Sequence, residues 1–196
     1  MFNRTDEELA LGVQQGRKED LAVLVERHYP ALLNYLYRLS AGHQALAEDM
    51  SQETFYRILR SIHSYQYPRP FLAWMYSIAT HSLRNHYAKA DTRYADNYDE
   101  QHAEDWHSTE ASPEAQALEH EQSQAVLKAL EQVPLHQREV IVLFYYQELP
   151  QQSIAESLNI PLGTVKSRLS IGLRRLRQLL DENLPSPASK APYHEH

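Results

Sequence analysis

Residues 150–180 read PQQSIAESLNIPLGTVKSRLSIGLRRLRQLL, and this stretch decides the fold of the C-terminal part of the chain. Apolar residues at helical spacing predict a first helix from Gln151 to Leu158. Asn159 tolerates a left-handed backbone and can end that helix, while Pro161 has the backbone angle that starts the next one. The sequence therefore predicts two helices joined by a tight turn.

The second of these helices has two different faces. Valine or leucine recurs at three- and four-residue steps on one face, from Val165 to Leu180. The opposite face carries polar and cationic residues together with one isoleucine, namely Thr164, Ser167, Arg168, Ile171, Arg174 and Arg175. This pattern is typical of the recognition helix of a helix-turn-helix, whose first side chains contact base edges while later arginines contact phosphates. The alternative is an ordinary helical hairpin with a solvated basic face.

Composition favours an all-α binding protein. The 196 residues allow one domain or two small ones, and only five are glycine, which argues against phosphate-binding loops and turn-rich β architecture. The absence of cysteine excludes disulfides and thiolate metal sites. Eleven histidines show no His-Glu-x-x-His spacing and no nucleophile motif accompanies them, so we expect no enzyme, metal site or cofactor. No apolar run is long enough to span a membrane, and no signal peptide is recognisable, which predicts a cytoplasmic protein.

The net charge of −7 is concentrated in the middle of the chain. Residues 91–122 hold ten Asp or Glu and a single Arg, with few aliphatic side chains. We expect a flexible acidic linker there, between helical modules at residues 1–90 and 123–183, and a disordered tail at residues 184–196. The linker either spaces the modules or occupies a basic groove.

Helical periodicity predicts four segments in the N-terminal module. A weaker one lies near Asp6 to Gln15, and stronger ones run from Asp20 to Leu39, from Ala45 to Ile62 and from about Pro70 to Lys89. In the third segment the pattern places Leu46, Met50, Phe55, Ile58, Leu59 and Ile62 toward the core. The opposite side forms a polar patch of Asp49, Gln52, Glu53 and Tyr56, which is either a solvated helix face or an interface.

The fourth segment and the loop before it carry groups that suit nucleic acid. The pattern places Phe71, Met75, Ile78, Ala79 and Ser82 toward the core, and Trp74, Ser77, His81, Arg84, Asn85 and Ala88 on the other side. The preceding loop contains Tyr65, Tyr67 and Arg69 between two prolines. Aromatic rings can stack unpaired bases, while Arg and Asn can bind phosphates or base edges.

Taken in order, these segments resemble the extracytoplasmic-function class of bacterial RNA polymerase sigma factors. The resemblance runs from residue 5 to residue 182 and is carried by three motifs, AEDMSQETF at 47–55, FLAWMYSIA at 71–79 and IPLGTVKSRL at 160–169, with the acidic linker between the last two. It implies an all-α fold with a region 2 helical bundle and a region 4 helix-turn-helix. It also implies core polymerase, through its β′ and β subunits, promoter DNA and an anti-sigma factor as partners.

The resemblance also implies a role for each surface. Docking onto the β′ coiled coil would use the polar patch of Asp49, Gln52, Glu53 and Tyr56. Melting and reading of the non-template strand at the minus-ten element would use Tyr65, Tyr67, Arg69, Trp74, His81, Arg84 and Asn85. Duplex recognition at the minus-thirty-five element would use Gly163, Thr164, Lys166, Ser167, Arg168, Arg174 and Arg175. The acidic linker would thread toward the RNA exit path of the polymerase.

Two departures from the family pattern lie in the single-strand module. Family members usually carry Asn at the position of His81, and often a Gly followed by an acidic residue where this chain has Tyr67 to Pro70. The preferred minus-ten sequence therefore does not carry over. An operator-binding helix-turn-helix regulator that acts without core polymerase is the alternative, and a protein-interaction scaffold would leave the recognition helix unexplained.

Overall fold

The computed structural model describes residues 4–93 and 123–183, and both parts are built from α-helices. The N-terminal module contains α1 (Asp6–Gln14), α2 (Lys18–Leu39), α3 (Gln44–Ser61), a short 3-10 helix (Ile62–Ser64) and α4 (Phe71–Arg93). The C-terminal module contains α5, helical over 123–131, then α6 (Leu135–Tyr145), α7 (Gln151–Leu158) and α8 (Leu162–Asn183). All but the first three residues of the predicted linker, and the whole predicted tail, lie outside the described residues.

Helix α1 fastens the loop that connects α3 to α4. It begins with a capping box, in which the Thr5 hydroxyl accepts from the backbone of Glu8 and the Glu8 carboxylate accepts from the backbone of Thr5. Glu7 then accepts a hydrogen bond of 3.1 Å from the backbone nitrogen of Phe71, which satisfies one of the free donors at the start of α4. At the other end of α1, the Gln14 amide donates to the carbonyl oxygens of residues 62 and 65, each at 2.7 Å. Both ends of the loop are thereby tied to α1.

A buried ion-pair cluster joins α1 to the beginning of α2. The Asp20 carboxylate, almost fully buried, accepts from Arg17 at 2.9 Å and from two nitrogens of Arg4. The Arg4 hydrogen bonds, followed by those of Arg17, hold the pKa of Asp20 below its ordinary value. Gly12 leaves the space for this cluster, because a Cβ atom there would lie 1.7 Å from the Asp20 carboxylate.

The helix-turn-helix predicted from residues 150–180 is confirmed. Helix α7 has the predicted bounds, and Asn159 ends it with a left-handed backbone at φ 51° and ψ 50°. Val165 and Leu169 of α8 are buried, as their spacing predicts. Gly172 lets α8 approach α6 closely, since a Cβ atom there would lie 2.9 Å from the Ile141 methyl group.

The two modules pack against each other, a contact that the sequence pattern did not predict. Helix α4 contacts α7, helix α2 contacts α6, and the buried apolar residues of both modules form one continuous cluster. We call this the intermodule contact. Its polar part joins Arg84 to Glu139, Arg138 to Leu39, Tyr76 to Gln147 and Arg38 to Tyr146. Within the described residues, no helix combines the length and apolar character needed to cross a membrane.

Candidate nucleic-acid and polymerase interfaces

The solvent face of α8 is strongly cationic. Gly163, Lys166, Ser167, Arg174 and Arg175 are exposed, and Thr164 and Arg168 are half-buried beside them. Ser167 donates to the backbone oxygen of Thr164 at 3.0 Å, so its hydroxyl is turned toward its own helix in the unbound protein. The helix carries no acidic residue before Asp181, so side chains of α8 itself would not repel a phosphate that approaches this face.

One further cation belongs to this surface and was not among the predicted residues. Arg177 is exposed one helical turn after Arg174, at the border between the cationic face and the side that packs through Leu173 and Leu176. Its position in the repeated arginine pattern is visible in the sequence, and the three-residue step from Arg174 was the available signal. The cationic face therefore extends at least to Arg177.

The predicted polar patch is assembled on the outer side of α3. Asp49, Gln52 and Tyr56 are exposed, and Glu53 is half-buried, with its carboxylate 2.5 Å from the Arg57 guanidinium. Such a pair between partly exposed groups in water contributes little stability, and it leaves the carboxylate available to another cationic partner.

The inward prediction for Leu59 is wrong, because this side chain is 47% exposed one turn beyond Tyr56. Leu59 lies at the edge of the apolar stripe, where α3 already packs through Phe55 and Ile58 and the following 3-10 helix packs through Ile62. The outer side of α3 consequently continues from acidic and amide groups into an aromatic ring and an aliphatic side chain.

The loop and helix predicted to contact the minus-ten element divide into exposed and buried residues. Tyr67, Arg69 and His81 are exposed, and Arg84 and Asn85 are half-buried. Tyr65 and Trp74 are instead part of the core, with their ring centroids 5.2 Å apart. The prediction that Trp74 faces away from the core is wrong in this structure, where the indole is 8% exposed.

Tyr65 explains why Trp74 is covered. The backbone turns after the 3-10 helix, and the Tyr65 hydroxyl donates to the carbonyl oxygen of Arg69 across the loop. The ring then fills the space over Trp74 and Phe71. Burial raises the pKa of the Tyr65 hydroxyl to about 12, so this donor stays protonated at neutral pH.

Arg84 of α4 is engaged by the other module. Its Nε donates to Glu139 Oε1 at 2.7 Å, and its Nη2 donates to the second carboxylate oxygen in a bidentate pair. The Glu139 side chain is 1% exposed, whereas that of Arg84 is 39% exposed. These hydrogen bonds from Arg84 to Glu139 raise the pKa of the guanidinium.

The neighbouring Arg138 has no acidic partner in the part of the chain that the structure describes. It donates to the carbonyl oxygen of Leu39 at the end of α2 at 2.7 Å, and to the carbonyl oxygens of Glu131 and Val133. Burial lowers its pKa. Arg138 and Glu139 directly precede the apolar run from Val140 to Leu143. Two adjacent charges next to such a run were the sequence signal for a buried polar contact.

A cleft of about 810 Å³ lies where the end of α7 approaches α3 and α4. Its lining includes Glu53 and Tyr56 from the polar patch, His81 and Arg84 from α4, and Asn159 from the helix-turn-helix. The arrangement thus brings residues from two predicted interfaces, the polar patch and the minus-ten surface, next to the turn of the helix-turn-helix.

Comparison with known proteins agrees with this architecture. The Sigma-70 region 2 model matches residues 24–93, and the Sigma-70 region 4 model matches residues 123–176. The chain is 32% identical to the ECF RNA polymerase sigma factor SigW of Bacillus subtilis, in an alignment covering 86% of this chain and 92% of SigW. It is also 32% identical to the ECF RNA polymerase sigma factor SigE of Mycolicibacterium smegmatis, again over 86% of this chain but only 64% of that longer relative.

Two solved structures share the fold. The sigma factor RpoE of Bartonella quintana, in complex with the anti-sigma factor NepR, aligns with a TM-score of 0.70 and 22% identity, covering 85% of this chain and 99% of that one. CnrH in complex with the cytosolic domain of CnrY aligns with a TM-score of 0.67 and 24% identity, covering 91% and 99%. The chain therefore belongs to the extracytoplasmic-function class of RNA polymerase sigma factors, with region 2 in its N-terminal module and region 4 in its C-terminal module.

Proposed function

We propose that this sigma factor docks onto core RNA polymerase through the polar patch of α3, reads the minus-ten element with the α3–α4 loop and α4, and reads the minus-thirty-five element with α8. The observation that carries the proposal is the pair of exposed surfaces of opposite character on separate modules. One is acidic with exposed aromatic and aliphatic groups on α3, and the other is cationic on α8. Such a division suits a protein that connects an enzyme to DNA.

The α8 face supports duplex recognition. Lys166 and Arg168 stand in its first two turns, from which side chains of a recognition helix reach base edges in the major groove. Arg174, Arg175 and Arg177 follow in later turns, at the distance from the helix start where contacts to phosphates are usual. In this scheme Arg168 contributes to sequence choice and the later arginines contribute general affinity.

The N-terminal module supports single-strand reading through fewer exposed groups than the sequence pattern predicted. Tyr67, Arg69 and His81 are exposed and can stack or hydrogen-bond an unpaired base. Trp74 and Tyr65 are buried against each other, and Tyr65 supports the loop through its hydrogen bond to the carbonyl oxygen of Arg69. The binding energy of stacked bases, about 1–3 kcal/mol each, offsets part of the cost of opening the duplex. The sequence contains no ATP-binding motif, so binding to polymerase and promoter would drive the opening.

An anti-sigma factor is the proposed regulatory partner. The related folds RpoE and CnrH were solved with the anti-sigma factor NepR and with the cytosolic domain of CnrY respectively. The cleft between α3, α4 and α7 offers a partner simultaneous access to both modules of this chain.

The proposal is tested by transcription with purified core polymerase of the same organism on a library of its genomic fragments, followed by sequencing of the RNA 5′ ends. We expect start sites that share two upstream elements only when this protein is added. Sequence-specific operator binding and regulation by the protein without any association with core polymerase would instead identify an ordinary helix-turn-helix regulator.

A further inference from the structure

An isoleucine lies in the middle of the cationic face of α8. Ile171 is 45% exposed. It follows Ser167 and Arg168 by one helical turn and precedes Arg174 and Arg175 by one turn, and residues three or four positions apart are neighbours on the surface of a helix. Ile171 is thus surrounded on its own helix by side chains predicted to contact the minus-thirty-five element.

Neither the core nor the helix itself requires an isoleucine at this position. The core side of α8 packs through Val165 and Leu169, and in the described part of the chain Ile171 lies outside that apolar cluster. Isoleucine also favours a helix less than arginine, leucine or glutamine does, because its branched Cβ leaves it few rotamers there. Single apolar residues are common on protein surfaces, so exposure alone carries no conclusion. The informative feature is the position of Ile171 at the centre of a face proposed to bind DNA.

The major groove offers one apolar group to such a side chain. The edges of the base pairs present hydrogen-bond donors and acceptors there, and thymine adds its C5 methyl group. Isoleucine has no donor or acceptor, and it cannot bind a phosphate as its arginine neighbours can. We propose that Ile171 contacts the C5 methyl group of a thymine in the minus-thirty-five element and thereby selects an A·T pair at that position. This inference deepens the proposed function and rests on it.

The geometry of the helix indicates where this thymine lies. Thr164 and Ile171 are seven residues apart, which is about two turns and about 10 Å along the same side of α8. At about 3.4 Å per base pair, we expect the thymine about two or three pairs from the pair next to Thr164. Arg174 and Arg175 lie one turn further, in the part of the helix proposed to contact phosphates. Those contacts would hold Ile171 against the groove.

Replacing a thymidine by deoxyuridine removes the C5 methyl group and leaves the protein unchanged. The full chain is assembled with core polymerase of the same organism, on a promoter taken from the genomic-fragment library. Deoxyuridine is placed at one minus-thirty-five position at a time, on either strand, and each template competes with the thymidine template in single-round transcription. Transcripts of two lengths report which template was bound. Burial of one methyl group corresponds to about a fourfold change in affinity, so we expect one position at which the thymidine template wins about fourfold.

Protein variants identify the partner of that methyl group. In Ile171→Ala the preference for thymidine over deoxyuridine should fall to about 1.5-fold or less, whereas Ile171→Val keeps a branched apolar side chain and should retain part of it. Val23→Ala is the matched control and should retain the full preference, because Val23 is also β-branched and is 36% exposed on α2. Circular dichroism checks the helix content of each variant.

A second library separates base reading from a structural effect. With each minus-thirty-five pair randomised in turn, Ile171→Ala should lose selection at the thymine position alone. A variant that merely disturbed α8 would lose selection at every pair that the helix reads, and that result would overturn the inference.

The inference is supported if the thymidine preference disappears in Ile171→Ala and persists in Val23→Ala. It is overturned by a minus-thirty-five element without thymine, by the absence of a deoxyuridine effect at every position, or by an effect that remains unchanged in Ile171→Ala. In these cases transcription still depends on the minus-thirty-five element, and the proposed function stands. The absence of any start site that depends on this protein would instead overturn the proposed function, and this inference with it.

Discussion

Two glycines of the same helix should respond to alanine with opposite signs. Gly172 and Gly163 both lie in α8, but their surroundings differ. A Cβ atom at Gly172 would meet the Ile141 methyl group at 2.9 Å and the Gln137 Cβ atom at 3.2 Å. A Cβ atom at Gly163 would meet no protein atom within 4 Å. The pair therefore separates the effect of helix propensity from the effect of crowding.

The expected magnitudes follow from these distances. Alanine in place of glycine within a helix lowers the free energy of the folded state by about 1 kcal/mol, whereas forcing an extra methyl group into a packed site costs about 1–3 kcal/mol. Ile141 is buried and the Gln137 Cβ atom moves only with its backbone, so α6 and α8 would have to separate by several tenths of an ångström. We expect Gly172→Ala to be destabilised by about 1 kcal/mol. Gly163→Ala, near the helix start, should be stabilised by about 0.5 kcal/mol.

Urea unfolding of the free protein, followed by circular dichroism at 222 nm, measures the difference. With a denaturant dependence of about 2 kcal/mol per molar urea, a stability difference of about 1.5 kcal/mol separates the two midpoints by about 0.75 M. Equal stability of the two variants, or a more stable Gly172→Ala, would refute the argument that this glycine is required for the approach of α8 to α6.

Three further predictions concern binding and pH. Arg168→Ala should weaken specific promoter binding by about 1–3 kcal/mol. Arg175→Ala should weaken binding to all sequences and flatten the salt dependence of binding. If both variants select the same minus-thirty-five sequence as the wild type, the assignment of α8 is contradicted. Asp49→Lys combined with Glu53→Lys should abolish pull-down of core polymerase with unchanged helix content, and wild-type affinity would mean that the patch is only solvated. The pKa of Asp20 is lowered on folding, so its contribution to stability is complete above pH 4, near the pKa of the unfolded state, and is lost as the pH falls through the pKa of the folded state. Asp20→Asn should therefore lose stability at neutral pH and show a shallower dependence of stability on acid pH in chemical unfolding. An unchanged dependence at acid pH would contradict this role.

The sequence predicts the helix-turn-helix closely because local signals agree there. Three local signals indicate the same end of α7: its periodicity, the left-handed tendency of Asn159 and the position of Pro161. In the structure α7 ends at Leu158, and Asn159 follows with a left-handed backbone. These features depend on the backbone of a few neighbouring residues and need no knowledge of the rest of the chain.

Burial at the edge of a helix face could not be predicted in the same way. Trp74 and Leu59 both lie beside an apolar stripe, and which of them is covered depends on what the remainder of the protein places there. The α3–α4 loop folds Tyr65 over Trp74, whereas nothing in the described part of the chain covers Leu59 to the same extent. The contact between Arg84 and Glu139 is likewise invisible to periodicity, since the residues are 55 positions apart and belong to different modules.

Helix α1 carries none of the proposed base-contacting residues, yet it determines how one promoter surface is presented. Its Gln14 and Glu7 hold the two ends of the loop that carries Tyr67 and Arg69. The region 2 match begins only at residue 24, after this helix has ended. The shape of the base-reading loop is thus set from outside the segment that matches region 2. We expect promoter preference to differ among relatives that keep every residue of region 2 but differ in this nine-residue helix. An N-terminal truncation at the start of the region 2 match would release the loop without altering any base-contacting side chain.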